Sequence, residues 1–154
     1  MPVSVHVRLR KAGERVRRIA IRLFAERILD ALGESRSELG LVLVGDHRMR
    51  RLNRQYRGRD SSTDVLAFSI REAPGPASPL MGDVVISIPA VYRQAVEHRH
   101  SVNDEFALLL VHGILHLCGY DHERGSKEAA RMRRQERRLL SRASPLPRLL
   151  AGLL

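Results

Sequence analysis

The sequence predicts an α+β domain, a small four-stranded mixed sheet with helices packed around it. Three observations predict this class. Hydrophobic periodicity alternates between two and 3.6 residues in the order βαβαββ and then continues as three helices. One of those helices, about 102–118, is apolar on almost every side and therefore belongs at the centre of the molecule. The chain has 154 residues, 44% of them hydrophobic, which suits one core; a basic final helix and tail, about 123–154, complete a single domain over 1–154.

Each element has its own signal. Val3, Val5, Val7 and Leu9 alternate with Ser4, His6 and Arg8, the pattern of a half-buried strand. Over 14–32 the period lengthens: Val16, Ile19, Leu23, Phe24, Ile28 and Leu32 form one apolar stripe, and Gly33 stops the helix. The segment LGLVLVGD, 39–46, is a short apolar strand ending at Asp46, a residue able to cap an arginine-rich helix containing Met49, Leu52 and Tyr56. VLAFSI, 65–70, is the third strand, and a loop rich in proline and glycine, REAPGPASPL, separates it from DVVIS, 83–87, the fourth. Pro89 opens a helix running to about His98, and Ser101 is the N-cap of the central helix, with Asp104 in its first turn. The last helix covers about 126–141. Beyond it, SPLPRLLAGLL combines turn signals with a short apolar end that either docks on the body or stays loose.

The formal charge of +10 favours a polyanionic partner, and its distribution is informative. Nine Lys/Arg stand against two Glu between Arg124 and Arg148, and six Arg against no acid between His47 and Arg59. A single such run is ordinarily a solvated helix face; two of them beside a metal site point towards phosphate. The single cysteine, Cys118, excludes an intrachain disulfide. No window reaches the length of a membrane span and the N-terminal segment lacks a secretory apolar stretch, so a cytoplasmic protein with no membrane partner is expected. The sequence assigns no oligomeric state.

Three of the seven histidines fall within HGILHLCGYDH, 112–122. His112 and His116, four apart on a helix, project from one face about 5–6 Å apart at Cβ. Gly119 ends the helix in a left-handed conformation, which lets His122 return to the same point. Three neutral imidazoles with an open fourth position make the ligand set of a catalytic zinc, although imidazoles also accept nickel or copper. A lone histidine on such a helix is usually a satisfied core residue, but this spacing is hard to obtain by packing alone. Cys118 lies two residues from His116, points elsewhere, and reads as a small buried hydrophobe. The spacing matches the metzincin pattern HExxHxxGxxH, in which Glu takes a proton from water. Gly113 occupies that position, which argues against peptide hydrolysis.

The same stretch resembles the H-G-x-L-H-L-x-G-Y-D-H signature of the YbeY family, bacterial rRNA maturation factors described as single-strand-specific endoribonucleases. LNRQYRGRDSSTDVLAFS, 52–69, resembles the family's N-x-x-Y-R-x-x-D-x-x-T-D-V-L-S-F, with Ala67 in place of its serine, and GDVVIS, 82–87, its G-D-I-x-I-S. The resemblance implies a four-stranded mixed sheet, one zinc held by His112, His116 and His122, and a residue important for activity at Arg57. It carries nothing onto 123–154. It further implies single-stranded or ribosomal RNA as substrate, at the 3′ end of small-subunit rRNA, with ribosomal or assembly proteins as partners. A zinc of this kind lowers the pKa of bound water to about 7, and the Arg57 fork matches two phosphate oxygens. Asp121, next to His122, stands either to orient an imidazole as its hydrogen-bond acceptor or to handle protons; Asp64 and Asp83 are the alternatives, and the substrate's 2′-hydroxyl is another candidate nucleophile. With three Tyr, three Phe and no Trp, backbone contacts dominate the expected RNA binding, with weak sequence preference and strong salt dependence. A non-catalytic assembly factor with a structural metal is the competing reading; a metallopeptidase comes third because of Gly113.

Overall fold

The computed structural model describes residues 3–9, 16–70 and 79–150. Its elements follow the expected order: β1 (Val3–Arg8), α1 (Arg18–Ala31), β2 (Glu38–Val44), α2 (Asp46–Arg57), β3 (Val65–Ser69), β4 (Leu80–Ser87), α3 (Ile88–His98), α4 (Val102–Leu117), a single 3-10 turn (His122–Arg124) and α5 (Ser126–Arg142). The sheet order is β1-β2-β4-β3. β1 and β4 each pair with β2 in parallel, and β3 pairs with β4 antiparallel, so the sheet is mixed. The segments 10–15 and 71–78, which hold the first two residues of the expected first helix and most of the proline loop, lie outside the described residues; α1 itself starts later than expected, at Arg18, with Arg17 as its N-cap and Val16 in an extended bridge to Leu150.

Strand alternation divides the protein into two layers. Val84 and Ile86 of β4 and Leu39, Leu41 and Leu43 of β2 face the main core, which takes Phe24 and Ile28 from α1, Phe106, Leu110 and Ile114 from α4, and Leu139 from α5. Val85 and Val44 face the other side, where Met49 of α2 and Leu66 close a smaller cluster. α4 is buried along most of its length, as its apolar composition requires.

Two further sequence expectations need correction. In α1, Ile19 and Leu23 are 69% and 48% exposed, whereas Ile21, Phe24, Ala25, Ile28 and Leu29 are buried. The buried set follows i, i+3, i+4, i+7, i+8 from Ile21; at about 100° per residue, Ile19 and Leu23 lie on the opposite side of that row. Asp46 is not the N-cap of α2. Gly45 holds that position, and the Asp46 carboxylate turns away to accept hydrogen bonds from Arg93 Nη1 (2.7 Å), Arg93 Nη2 (3.0 Å), Ser62 Oγ and Ser87 Oγ (3.1 Å each). It ties α2 to α3 and to the start of β3.

The tail docks as far as Leu150. Asn103, in the first turn of α4, donates to Pro147 O and accepts from the backbone N–H groups of Leu149 and Leu150, while Val16 bridges Leu150. Both leucines are buried. Residues 151–154 lie outside the described residues.

Candidate metal centre and groove

α4 ends as the glycine predicts. Cys118 is the C-cap, Gly119 has φ 96°, the Gly119 N–H donates to His116 O and the Tyr120 N–H to Leu115 O, both at 3.0 Å. These are the paired bonds of a Schellman motif. The reversal brings His122, on the 3-10 turn, opposite His112 and His116. The three ring centroids are 4.9, 5.0 and 5.4 Å apart, and one nitrogen from each ring lies within 4.8 Å of the others. Cys118 is outside this group, half-buried against the core.

The turn is fixed from both sides. Asp121 Oδ1 accepts from the Glu123 N–H at 2.9 Å, which, as the largest influence, lowers the Asp121 pKa. Arg131 of α5 stands over the Tyr120 ring at 4.4 Å from its centroid. Burial, reinforced by the like charges of His112 and His122, holds His116 below the usual imidazole value, which keeps its lone pair for a ligand.

The acceptor behind the histidines is a residue the sequence did not suggest. Glu136 Oε1, from α5, lies 2.7 Å from His112 Nδ1. A carboxylate only accepts, so Nδ1 carries the proton and Nε2 presents its lone pair towards the centre, the carboxylate–histidine arrangement common behind metal ligands. Asp121, the sequence candidate for this task, caps the turn instead. The one available clue was that Glu136 is one of two acids in the basic run, and nothing in the sequence placed it opposite His112.

The histidines stand in a groove of about 780 Å³. Arg57, Asp64 and Asp121 reach it, joined by Arg59 and Glu123, whereas Asp83 faces the other side of the sheet beside Arg8 and Val85. Arg57 is exposed and forms no ion pair among the described residues. Its position follows from the motif around it. Gly58, at φ 67°, ends α2, and the loop that follows is tied back onto the helix: Asp60 accepts from Arg50 Nε at 2.9 Å, Asn53 Nδ2 donates to Ser61 O at 2.8 Å, and Ser62 reaches Asp46. The residues around Arg57 thus tie the loop back onto α2 and leave this arginine at its edge without an ion pair among the described residues.

Gly113 has a packing reason. A Cβ there would lie 2.6 Å from Val84 Cγ1 and 3.3 Å from Val65 Cγ2, because α4 lies directly on β3 and β4. The position that holds a general base in the metzincin pattern is pressed against the sheet here and has no room for a side chain.

Fold and site together define a small α+β protein with an open three-histidine centre, able to hold a metal ion, at the foot of a groove that also presents arginine. The comparisons agree. The family described as Endoribonuclease YbeY matches residues 7–144. A relative named Endoribonuclease YbeY from Anaeromyxobacter sp. (strain Fw109-5) is 47% identical over 136 residues, covering 88% of this chain and 67% of the relative. One of the same name from Aquifex aeolicus (strain VF5) is 44% identical over 140 residues, 91% of each. The chain belongs to the YbeY endoribonuclease family, and because the match runs to Ser144 it takes in α5 and Glu136. A solution structure from Thermotoga maritima shares the fold, with a TM-score of 0.60 and 24% identity over 91% of this chain and 89% of that one.

Proposed function

We propose that this protein is a zinc-dependent endoribonuclease that cuts single-stranded RNA in the cytoplasm, maturing the 3′ end of small-subunit rRNA during ribosome assembly. Family membership supports the reaction class. The observation that carries the mechanism is the pairing of an open three-histidine centre with an arginine that forms no ion pair among the described residues, along one groove.

His112, His116 and His122 would hold the ion. When bound, it supplies Lewis acidity, lowering the pKa of water towards about 7 and polarising a phosphoryl oxygen. Glu136 fixes the His112 ring and its tautomer. Arg57 offers two parallel N–H donors to the non-bridging oxygens of the scissile phosphate and offsets the charge that builds there in the transition state. Asp64, Asp121 and Glu123 are the groove carboxylates with no histidine partner among the described residues, and the proton-handling group would come from among them; Asp83, on the far side of the sheet, has no part in it. Described helices of this chain include none long and apolar enough to cross a membrane.

The test is cleavage of a single-stranded RNA oligonucleotide by wild type, His116→Ala and Arg57→Ala, purified in parallel and with metal content measured. His116→Ala should lose both metal and cleavage; Arg57→Ala should keep metal and RNA binding yet cut poorly. Cleavage surviving in a folded, metal-free His116→Ala protein would defeat the proposal. A single 2′-deoxy substitution at the scissile ribose identifies the nucleophile: cutting persists if water attacks and stops if the 2′-hydroxyl does.

A further inference from the structure

At the other end of α4 lies a second constellation with the chemistry of a metal site. We propose that His98, His100 and Glu105 form a second divalent-cation site, on the wall of the same groove.

The local fold places these residues deliberately. His98 is the last residue of α3; Arg99 then adopts φ 56° and ψ 42°, and His100 precedes Ser101, the N-cap of α4. Arg99 is the one non-glycine residue with positive φ among the described residues. That backbone is unfavourable for a residue bearing a Cβ, and here it folds His100 back beside His98, their rings 5.6 Å apart. Glu105, in the first turn of α4, points between them. His98 Nδ1 lies 3.1 Å from Glu105 Oε2, and His100 Nε2 contacts the same oxygen. The three ligand atoms fall within 4.8 Å of one another.

Glu105 is the second, independent observation. Its side chain is 1% exposed, yet Oε1 has no hydrogen-bond partner among the described residues. A carboxylate this deeply buried calls for a cation, and an oxygen left without a donor calls for a ligand. Two imidazole nitrogens and a carboxylate oxygen make up one of the catalytic zinc donor sets, with a position left over for water or a phosphate oxygen. His98 is 52% exposed, so the cluster is open to solvent on its side.

The charge of the groove points the same way. His98 and Glu105 line it together with His112, His116 and His122. Among the described residues its carboxylates are Asp64, Glu105, Asp121, Glu123 and Glu136, and its arginines are Arg57 and Arg59. Five acids against two bases give a formal −3 with the histidines neutral, a poor surface for a polyanion. One divalent ion leaves −1, and a second brings the groove to +1.

Zinc stoichiometry tests the site without reference to nuclease activity. The full chain is dialysed against Zn2+ buffered near micromolar and its bound zinc measured by mass spectrometry, for wild type, His98→Ala, His116→Ala and the double variant. His98 is half-exposed, so its replacement should leave the fold intact, and circular dichroism checks this. Two ions in wild type, one in each single variant and none in the double variant are expected. If wild type holds one ion that His116→Ala removes and His98→Ala does not, the second site does not exist. If neither substitution lowers the count, the ions are adventitious and the proposal falls equally. Loss of zinc in His98→Ala with none lost in His116→Ala would instead sink the three-histidine centre and leave this one standing.

Discussion

The arginine-rich helices α2 and α5 look alike in sequence and contribute opposite things to the groove. On α2, Arg50 is bound to Asp60 and Arg54 lies 4.0 Å from it, while Arg57 at the helix end lines the groove with no ion pair among the described residues. On α5, Arg133, Arg134, Arg137 and Arg138 are exposed, Met132 and Leu139 hold the helix to the core, and the residue delivered to the centre is an acid, Glu136. Charge density therefore locates a phosphate-facing helix only loosely. The informative residue is the one whose sign or pairing differs from the rest of its run.

The sharpest way to break this comparison is to remove one arginine from each helix. Arg57→Ala should lower single-turnover cleavage at saturating RNA by about 10²–10³-fold, the usual cost of one preorganised charge donor. Arg134→Ala should leave that rate unchanged and weaken only RNA binding, with the slope of log K against log salt falling by about 0.7. Equal effects on binding, with neither changing the rate, would make α2 and α5 interchangeable basic surfaces. Next in size is Glu136→Ala. Losing the acceptor behind a ligating histidine should weaken zinc affinity by about 10–100-fold in a chelator competition, whereas Arg57→Ala leaves it unchanged.

What the sequence disclosed and what it hid follow the same division between local and long-range information. The strand alternation, the Ser101 cap and the i, i+4 histidines with Gly119 behind them are local, and each appears in the structure as read. Glu136, 24 residues from His112, depends on how α5 crosses α4, which no periodicity encodes. The phase of α1 failed because Ile19 and Leu23 are as apolar as the residues that won; packing against β1 and α5 selected the row. Gly113 sits between these cases, since its effect on the chemistry was legible and its packing cause was not. Alanine there gains up to about 1 kcal/mol of helix propensity but overpacks Val84 at a cost of about 1–3 kcal/mol. A net loss of about 1–2 kcal/mol in urea denaturation is expected, and it should shrink when Val84→Ala opens the same space. Stabilisation by Gly113→Ala would show that α4 can move off the sheet, and that the groove floor is softer than its packing implies.

The smallest effect concerns how α2 is held in place, and it is set by pH. Arg93, chiefly through its hydrogen bonds and with help from Ser87 and Ser62, lowers the Asp46 pKa below its ordinary 3.8. A carboxylate stabilised in its charged form contributes to folding above the unfolded value and loses that contribution as pH falls through the lower folded value. Because Asp46 and Arg93 are 40% and 57% exposed, solvent screening limits the contribution to about 1 kcal/mol or less. Asp46→Asn should therefore melt a few degrees below wild type from pH 7 down to about 5, and the difference should close as pH falls below 3.8. A gap that persists undiminished at pH 3 would mean that the carboxylate's charge is not what joins α2 to α3. In that case the position of Arg57 at the end of α2 would rest on the Asp60 and Asn53 ties of its own loop, and Asp60→Asn, not Asp46→Asn, would be the substitution that loosens it.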